Sequence, residues 1–269
     1  MDNIRKNFKR IGIFGYGNMG KSIFEGISQK ADEKISFFVY SKSCTKDKYI
    51  TVCDSVEELV QCCDIVFICV KPQNFKNLKF DVDTALTNDT IFISIMAGIT
   101  IKEIEQKFKT QKIVRTMPNM PLQVQRGVVG WFIIDKTLSD VELKKVKNII
   151  NYLGIVVEVK EEDQLNAITA VSGSGPAYVF LFVDALIQSS INLGISEKDS
   201  KKIVFETIEG SLAYIRSNEQ DSLPDLIQKI TSSGGTTEAA FKQINAKQFY
   251  DIWKQGVQKA YERAQELSS

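Results

Sequence analysis

The chain of 269 residues is 43% hydrophobic and 25% charged, which is typical of a soluble globular protein with one or two domains. Lys and Arg (34) nearly balance Asp and Glu (33), so the net charge is +1 and no basic surface for nucleic acid is expected. No apolar stretch approaches the roughly 18 residues of a membrane span, and no signal peptide is recognised. These features predict a cytoplasmic protein that binds neither nucleic acid nor a membrane.

The sequence contains no histidine, and its five cysteines form no Cys-x-x-Cys pair. The lack of histidine excludes Ser-His-Asp and Cys-His catalysis and histidine-ligated metals. The cysteines are expected to be free thiols, mostly buried, and no metal site is predicted. Any chemistry must therefore use hydroxyls, carboxylates, lysines, backbone amides or a cofactor.

The first element is an apolar strand at Ile11–Phe14, followed by a glycine-rich turn and a helix that is expected to end near Lys30. Gly15, Gly17 and Gly20 match the G-x-G-x-x-G pattern between a strand and a helix. The three glycines would allow a tight turn, a close approach to a pyrophosphate and close packing of helix on strand. We therefore predict a dinucleotide site, against the alternative of a glycine-rich loop without a ligand.

A second strand is predicted at 35–40, and its end lies where a carboxylate would bind the ribose of NAD. Ser41, Lys42 and Ser43 stand there instead. A cation with two hydroxyls favours a 2′-phosphate, so NADP(H) is the preferred cofactor and NAD(H) the alternative.

The following elements alternate between helix and strand, which predicts an α/β fold with a doubly wound parallel sheet. Lys71 ends one buried strand, and the small residues Met96-Ala97-Gly98 end the next, where a flat ring would fit. The predicted helices are 55–62, 101–108 and 139–153, and the predicted strands are 64–70, 90–95, 112–115 and 155–159, with 127–134 completing this part. Gly154 stands where a C-cap glycine of the helix 139–153 is expected.

From Glu161 onward the pattern is helical throughout, so we predict a domain boundary between residues 160 and 161 (domains 1–160 and 161–269). The predicted helices are 161–171, one that begins at 172–176, 196–217, 222–231, 236–247 and 248–267. The second of these is apolar around nearly its whole circumference, which indicates a helix inside a bundle or a subunit interface.

A second candidate site is the loop Thr231–Thr237, where Gly234 and Gly235 lie between hydroxyl side chains before a helix. Backbone N–H groups at such a helix start would bind a small carboxylate. The alternative is an ordinary N-cap formed by Thr236 or Thr237.

Five motifs in order give the chain a resemblance to the pyrroline-5-carboxylate reductases. They are Gly15–Gly20, Val70-Lys71-Pro72, Met117-Pro118-Asn119-Met120-Pro121, Ser172–Tyr178 and Ser232–Thr237. The resemblance covers essentially the whole chain. It implies a Rossmann-type N-terminal domain, an all-helical C-terminal dimerisation domain, and NAD(P)H-dependent reduction of the C=N bond of 1-pyrroline-5-carboxylate to L-proline.

The resemblance also implies roles for individual residues. Thr237 would lie near the imine nitrogen as the catalytic residue, and Glu162 would lie near the substrate. The substrate set is Glu162, Gly234, Gly235, Thr236 and Thr237; the cofactor set is Gly15, Tyr16, Gly17, Asn18, Met19, Gly20, Ser41, Lys42, Ser43, Val70, Lys71, Pro72, Ala97, Gly98 and Asn119. The minimum unit would be a homodimer, with a larger homo-oligomer such as a decamer left open.

Four positions depart from the family pattern: Met120 replaces a usual Thr, Ser233 a usual Pro, Asp54 a common Asn, and the third glycine of the turn, Gly20, an Ala that is often found there. These changes bear on loop rigidity and cofactor affinity rather than on the reaction. Two alternatives are a β-hydroxyacid dehydrogenase, which needs a lysine that 171–182 lacks, and a non-catalytic dinucleotide-binding module, which would not need the Gly234–Thr237 loop.

Overall fold

The structure, a computed structural model, describes residues 10–31, 35–42, 48–78 and 89–268. Ser43 and Cys44 lie outside the described residues. Two compact units are present. The sheet unit contains the described residues up to Pro176 together with 260–268, and the helical unit contains Ala177–Lys259.

The sheet unit is built on one eight-stranded sheet with the strand order β3-β2-β1-β4-β5-β6-β7-β8. The strands are β1 (Arg10–Phe14), β2 (Ser36–Tyr40), β3 (Ile50–Val52), β4 (Ile65–Ile68), β5 (Ile91–Ser94), β6 (Ile113–Pro118), β7 (Gly127–Ile133) and β8 (Gly154–Glu158). Strands β1 to β6 all pair in parallel with one another. The chain builds outward from β1 to β3 and then continues at β4 on the other side of β1, so the strand order reverses between β1 and β4.

Strand β7 is the exception, because it runs antiparallel to β6. Only a short connection with the 3₁₀ helix Met120–Val124 joins them, whereas a parallel pair needs a crossover of a dozen or more residues. Strand β8 is again parallel to β7. The predicted doubly wound parallel sheet is confirmed, with this one antiparallel pair as a correction.

Helices connect the strands of the sheet unit and cover its faces. They are α1 (Asn18–Ser28), α2 (Val56–Cys62), α3 (Pro72–Asn77), α4 (Ile101–Phe108), α5 (Asp140–Asn151) and α6 (Gln164–Ile168), which continues through a π-helical turn at Thr169–Gly173. Helices α4 and α5 each begin with a capping box, Thr100 with Glu103 and Ser139 with Glu142. In each box a hydroxyl and a carboxylate satisfy backbone N–H groups that the first helical turn leaves unpaired.

The core of this unit lies on both faces of the sheet. Ile65 and Phe67 of β4 belong to one apolar cluster, and Val66 and Ile68 belong to the other. Neighbouring residues of a strand point to opposite faces, so a strand that is apolar throughout must be covered on both sides. This is why the apolar run 64–70 correctly predicts a doubly buried strand.

The helical unit consists of helices with little core of their own. The helices are α7 (Gly175–Asn192), α8 (Glu197–Ser217), α9 (Leu223–Ile230), α10 (Thr236–Ile244) and α11 (Ala246–Ser268), of which α7 begins and α11 ends in the sheet unit. Its buried apolar side chains, among the described residues, are Ile187, Val204 and Leu226, whereas Phe180 and Leu181 are 59% and 69% exposed.

The continuous helical segment Gln164–Asn192 is long and apolar enough to cross a membrane by length and composition, with a mean hydropathy of 1.5 over 18 residues. The expectation that no stretch approaches this length is therefore wrong, because it counts only uninterrupted apolar residues. Small apolar residues such as Ala177 and Ala185 stand among the larger apolar residues of this segment and keep its mean hydropathy high. Only 11% of that window is buried, so the described residues leave most of its apolar surface exposed.

Three local predictions are corrected. Strand β3 and helix α3 are not predicted, because three residues and one helical turn carry too little periodicity. Gly154 is predicted to follow the helix as a C-cap, but α5 ends with Tyr152 as its C-cap and Gly154 is the first residue of β8. Gly154 has φ +144, and a Cβ there would overlap the carbonyl oxygen of Gly127 on the neighbouring strand.

Candidate functional site

The turn between β1 and α1 requires glycine at two of its positions. Gly15 has φ +99, and a Cβ there would lie 2.9 Å from both the carbonyl carbon of Cys69 and the backbone nitrogen of Val70. A Cβ on Gly20 would overlap the carbonyl oxygen of Gly15. Glycine at these positions lets β1, β4 and α1 approach one another closely.

Gly17 differs from Gly15 and Gly20 in its surroundings. A Cβ built on Gly17 would meet no protein atom within 4 Å, so packing within the described residues does not explain the glycine. Gly17 is also the N-cap of α1, and it supplies no side-chain cap to the N–H groups of the first turn. An open helix start with unpaired N–H groups and a positive dipole end fits a pyrophosphate.

This turn lies where ligands bind in doubly wound sheets. The N–H of Gly15 donates to the carbonyl of Tyr40 (2.9 Å), and the N–H of Cys69 donates to the carbonyl of Phe14 (2.7 Å). These bonds join the carboxyl ends of β2, β1 and β4 at the point where the strand order reverses, and this is the usual site of a nucleotide crevice. The predicted cofactor residues Gly15–Gly20, Ser41 and Lys42, Val70–Pro72, and Ala97 and Gly98 follow the carboxyl ends of β1, β2, β4 and β5.

The residues after β2 carry the features that favour a 2′-phosphate. Ser41 is half-buried and Lys42 is exposed, and neither is a carboxylate that would repel a phosphate. Near the turn, the ring of Tyr16 packs edge-on against Phe24 with 6.2 Å between centroids, and Nζ of Lys21 lies 5.9 Å from the Tyr16 ring. Lys21 is a second cation beside the turn that the sequence analysis does not single out.

The loop Met96–Thr100 follows β5 and includes the predicted nicotinamide contact Ala97. Gly98 in this loop has φ +74, and a Cβ there would overlap the carbonyl oxygen of Leu267. The glycine therefore permits the end of α11 to pack on the loop. On the neighbouring strand end, Lys71 is exposed and is the N-cap of α3, but its side chain makes no capping bond.

Glu162 lies at the start of the segment that leads into α6. Its Oε1 accepts hydrogen bonds from the N–H of Ile101 (2.8 Å) and from Nη1 of Arg115 (3.0 Å). The Arg115 side chain is only 4% exposed, so its charge needs this paired carboxylate. Among the described residues no partner of Oε2 is found, which leaves that oxygen for a ligand.

Asn119 has a packing function in the structure. Its Nδ2 donates to the carbonyl oxygen and to Oγ of Ser172, and its Oδ1 accepts from the N–H of Val128. The side chain thereby ties the end of β6 to β7 and to the π-helical turn. Its predicted contact with the cofactor stays a prediction.

In the helical unit, the loop before α10 has two of its N–H groups already paired. The N–H of Gly234, which has φ +73, donates to Oε2 of Glu238 (2.8 Å), and the N–H of Gly235 donates to the carbonyl of Ser232 (3.0 Å). Thr236 and Thr237 form the first turn of α10, whose N–H groups have no partner within a helix. A bound carboxylate would therefore use these two N–H groups rather than those of the glycines.

Two further residues of the site are missed by the sequence analysis. Arg115 is the one charged residue of β6, and a charge in a largely apolar strand signals a buried ion pair. Glu238 follows the glycine loop and is not singled out. The structure gives it a hydrogen bond that shapes the loop.

Two family models match separate parts of the chain. The model described as pyrroline-5-carboxylate reductase dimerisation matches residues 162–267. A model described as NADP oxidoreductase, coenzyme F420-dependent, matches residues 10–98. The second match contains the Gly15–Gly20 turn, and the first contains the Gly234–Thr237 loop.

Curated relatives and solved structures match over nearly the full length. The chain is 30% identical to the pyrroline-5-carboxylate reductase of Haemophilus influenzae, with 97% of this chain and 98% of the relative covered, and 32% identical to that of Aquifex aeolicus, with 96% and 97% covered. A Plasmodium falciparum pyrroline carboxylate reductase crystallised with NADP superimposes with a TM-score of 0.87 at 30% identity, covering 98% of this chain and 99% of the other. The chain belongs to the pyrroline-5-carboxylate reductase family.

Proposed function

We propose that this protein is a pyrroline-5-carboxylate reductase, which reduces the C=N bond of 1-pyrroline-5-carboxylate to give L-proline, the last step of proline biosynthesis. The observation that carries the proposal is the Gly15–Gly20 turn with its open face at Gly17, placed where the strand order reverses. The family membership supplies the substrate. NADP(H) is the preferred cofactor and NAD(H) the alternative.

The chain's own residues would hold the cofactor at three places. The N–H groups at the start of α1 would bind the pyrophosphate, with Tyr16, Asn18 and Met19 beside it. Lys42, with Ser41 and Ser43, would bind the 2′-phosphate. The nicotinamide side would be formed by Val70, Lys71, Pro72, Ala97 and Gly98, with Asn119 behind them. Bound NADPH supplies the hydride, and the protein supplies position and electrostatics.

The substrate would be held by its carboxylate on the N–H groups of Thr236 and Thr237, while Gly234 and Gly235 shape the loop. The Thr237 hydroxyl would donate to the lone pair of the neutral imine nitrogen, or hold a water there that protonates it, and Glu162 would face the substrate with Oε2. A protonated imine is already a strong electrophile, so hydride addition removes positive charge and needs no oxyanion hole. This explains how the chemistry proceeds without histidine.

The dimerisation match and the exposed apolar residues of α7 support a homodimer as the minimum unit. A second subunit that covers this helix would account for its apolar surface without a membrane. We propose 1–160 as the cofactor domain and 161–269 as the dimerisation and substrate domain. We further propose a cytoplasmic location, no nucleic-acid partner, and a decamer as the alternative to a dimer.

The β-hydroxyacid dehydrogenase alternative is disfavoured because α7 contains no lysine in Gly175–Asn192. An assay separates the two functions. NADPH consumption is measured with 1-pyrroline-5-carboxylate, and NADP reduction is measured with a panel of 3-hydroxyacids. We expect turnover only in the first reaction, with L-proline as the product. Turnover only in the second would refute the proposal, and NADPH binding without turnover in either would favour the non-catalytic module.

A further inference from the structure

The loop Met96–Thr100 is held by two parts of the chain that are distant in sequence. It connects β5 to α4, and its residues Met96 and Ile99 are buried. Ala97 of this loop is proposed to face the nicotinamide ring. Hydride transfer depends on the distance and angle between the reacting carbons, so the position of this loop matters for the reaction.

Glu162 provides the first attachment. Its Oε1 accepts the N–H of Ile101, the first residue after the loop, and also binds Arg115 of β6, the strand next to β5. The capping box of α4 uses Thr100 and Glu103 and pairs other N–H groups of the helix start. Glu162 therefore adds a hydrogen bond from outside the helix. Through Arg115 it also links the end of the loop to strand β6.

The end of α11 provides the second attachment. Leu267 packs on Gly98 so closely that no side chain fits between them. The next residue, Ser268, donates from Oγ to Oδ1 of the buried Asn166 (3.1 Å), whose Nδ2 donates to Asp163 (2.7 Å). The C-terminal turn is thus bonded to the same short segment that carries Glu162.

We propose that Glu162 and the C-terminal turn Leu267–Ser268 are positioning elements that fix the Met96–Thr100 loop on the nicotinamide side of the cofactor. The inference rests on the proposed function for the place of the nicotinamide ring. It assigns Glu162 and the last turn of the chain to cofactor binding, in addition to any contact that Glu162 makes with the substrate.

The positioning role and a purely substrate-binding role predict different measurements. A residue that only touches the substrate raises the KM for 1-pyrroline-5-carboxylate and leaves the Kd of NADPH unchanged. A residue that positions the loop raises the Kd of NADPH in the absence of substrate. The readout is therefore NADPH titration of the full-length protein, followed by nucleotide fluorescence.

The first test compares Glu162→Ala with Glu162→Gln. The Ala variant removes both hydrogen bonds, and we expect it to weaken NADPH binding roughly tenfold, since bonds to charged groups are among the stronger ones. The Gln variant keeps an acceptor oxygen for Ile101 and should recover most of the affinity. Glu197→Ala, at an exposed carboxylate of α8, is the matched control and should bind like the wild type. A folded Glu162→Ala protein with wild-type NADPH affinity would overturn the proposal.

The second test leaves the buried Arg115–Glu162 pair intact, because Glu162→Ala could destabilise the fold. A chain that ends at Glu266 lacks Leu267, Ser268 and Ser269. We expect its NADPH Kd to rise several-fold with an unchanged mass in solution, and wild-type affinity in this variant would contradict the role of the C-terminal turn. Because no substrate is used, a failure to reduce 1-pyrroline-5-carboxylate would refute the proposed function alone. A wild-type protein that binds no NADPH would refute both.

Discussion

The sheet unit and the helical unit use apolar residues in opposite ways. In the sheet unit, Ile11, Ile13 and Ile65 are fully buried by strands and helices of the same chain. In the helical unit, Phe180 and Leu181 of α7 face outward. Burying one such side chain contributes about 1.5–3 kcal/mol, so leaving a row of them exposed forgoes a substantial stabilisation. One unit completes its core within a single chain, and the other leaves apolar surface that we propose a second copy covers.

The largest expected effect comes from placing a charge on the exposed face of α7. In Leu181→Arg, the guanidinium would have to be buried in the proposed subunit interface, and an unpaired buried charge costs several kcal/mol. We expect the protein to become monomeric and to lose activity almost completely. Mass in solution and NADPH consumption with 1-pyrroline-5-carboxylate measure the two effects.

Val141→Arg is the matched control for this change. Val141 lies on α5 of the sheet unit and is 63% exposed, and it lies outside residues 162–267, which match the dimerisation model. Its variant should keep the wild-type mass and activity. An unchanged mass for Leu181→Arg would show that α7 is not covered by a second copy.

The reactivity of the cysteines tests whether the core of the sheet unit is buried without a second subunit. Burial raises the pKa of the Cys53 thiol to about 12, against an ordinary value of 9.0, and it also raises the pKa of Cys63. Both residues are buried, whereas Cys62 is only half-buried. Because the thiolate is the reactive form, iodoacetamide at neutral pH should modify Cys62 far faster than Cys53 and Cys63.

The same labelling of the Leu181→Arg variant sharpens the comparison. Protection of Cys53 and Cys63 should persist in the monomer, since their burial comes from the sheet unit alone. Peptide mass spectrometry reports the modification at each site. Rapid labelling of Cys53 and Cys63 in the monomer would show that the sheet unit depends on the dimer.

At the proposed substrate loop, Thr237→Ala removes the hydroxyl and keeps the backbone N–H. We expect kcat to fall about a hundredfold, as for the loss of a proton-transfer or orienting group, with little change in the Kd of NADPH. Thr237→Ser retains the hydroxyl and should retain most of the activity. Unchanged turnover in the Ala variant would remove Thr237 from the mechanism.

At the proposed phosphate site, Lys42→Glu replaces a cation that attracts the 2′-phosphate of NADPH by a carboxylate that repels it. We expect the ratio of kcat/KM for NADPH to that for NADH to fall about tenfold or more, which corresponds to about 1.4 kcal/mol. Lys144→Glu, on the exposed side of α5, makes the same charge change away from the turn and should leave the ratio unchanged. A constant ratio in Lys42→Glu would exclude a phosphate contact by Lys42.

The smallest expected effect concerns pH and the sheet unit alone. Burial raises the pKa of Glu142, but hydrogen bonds from Lys112 and Ser139 outweigh burial, so the pKa lies below its ordinary value of 4.5. A lowered folded pKa stabilises the protein above the unfolded pKa, and this contribution is lost as the pH falls through the folded value. Glu142→Gln should lower Tm by about 2–4 °C at neutral pH, for a loss of about 1 kcal/mol. The difference should disappear in acid, and a constant difference would contradict this assignment.

The sequence predicts the sheet unit well because its signals are local. Alternating apolar strands and amphipathic helices establish the element order, and the spacing of Gly15, Gly17 and Gly20 indicates the nucleotide turn. The capped helix over 101–108 is predicted to the residue. The sequence pattern does not predict the direction of strand β7. That direction depends on the length of the connection from β6 rather than on the composition of the strand.

The contacts around the loop Met96–Thr100 are not predictable in this way. Arg115 and Glu162 are far apart in the sequence, and nothing local indicates that they form a pair. The sequence predicts Gly98 as a small residue beside a flat ring, whereas in the structure the glycine admits the close approach of Leu267. The hydrogen bond from the N–H of Gly234 to Glu238 likewise depends on the left-handed backbone at Gly234. A glycine in the sequence allows this conformation but does not predict it.

The most direct measurement of the central claim follows a deuterium atom from the cofactor to the product. NADPH deuterated at C4 of the nicotinamide ring, on each face in separate reactions, is incubated with the protein and 1-pyrroline-5-carboxylate. We predict that one of the two reactions gives L-proline with deuterium on the ring carbon derived from the C=N bond. Proline without deuterium from either reaction, or no proline at all, would contradict the account.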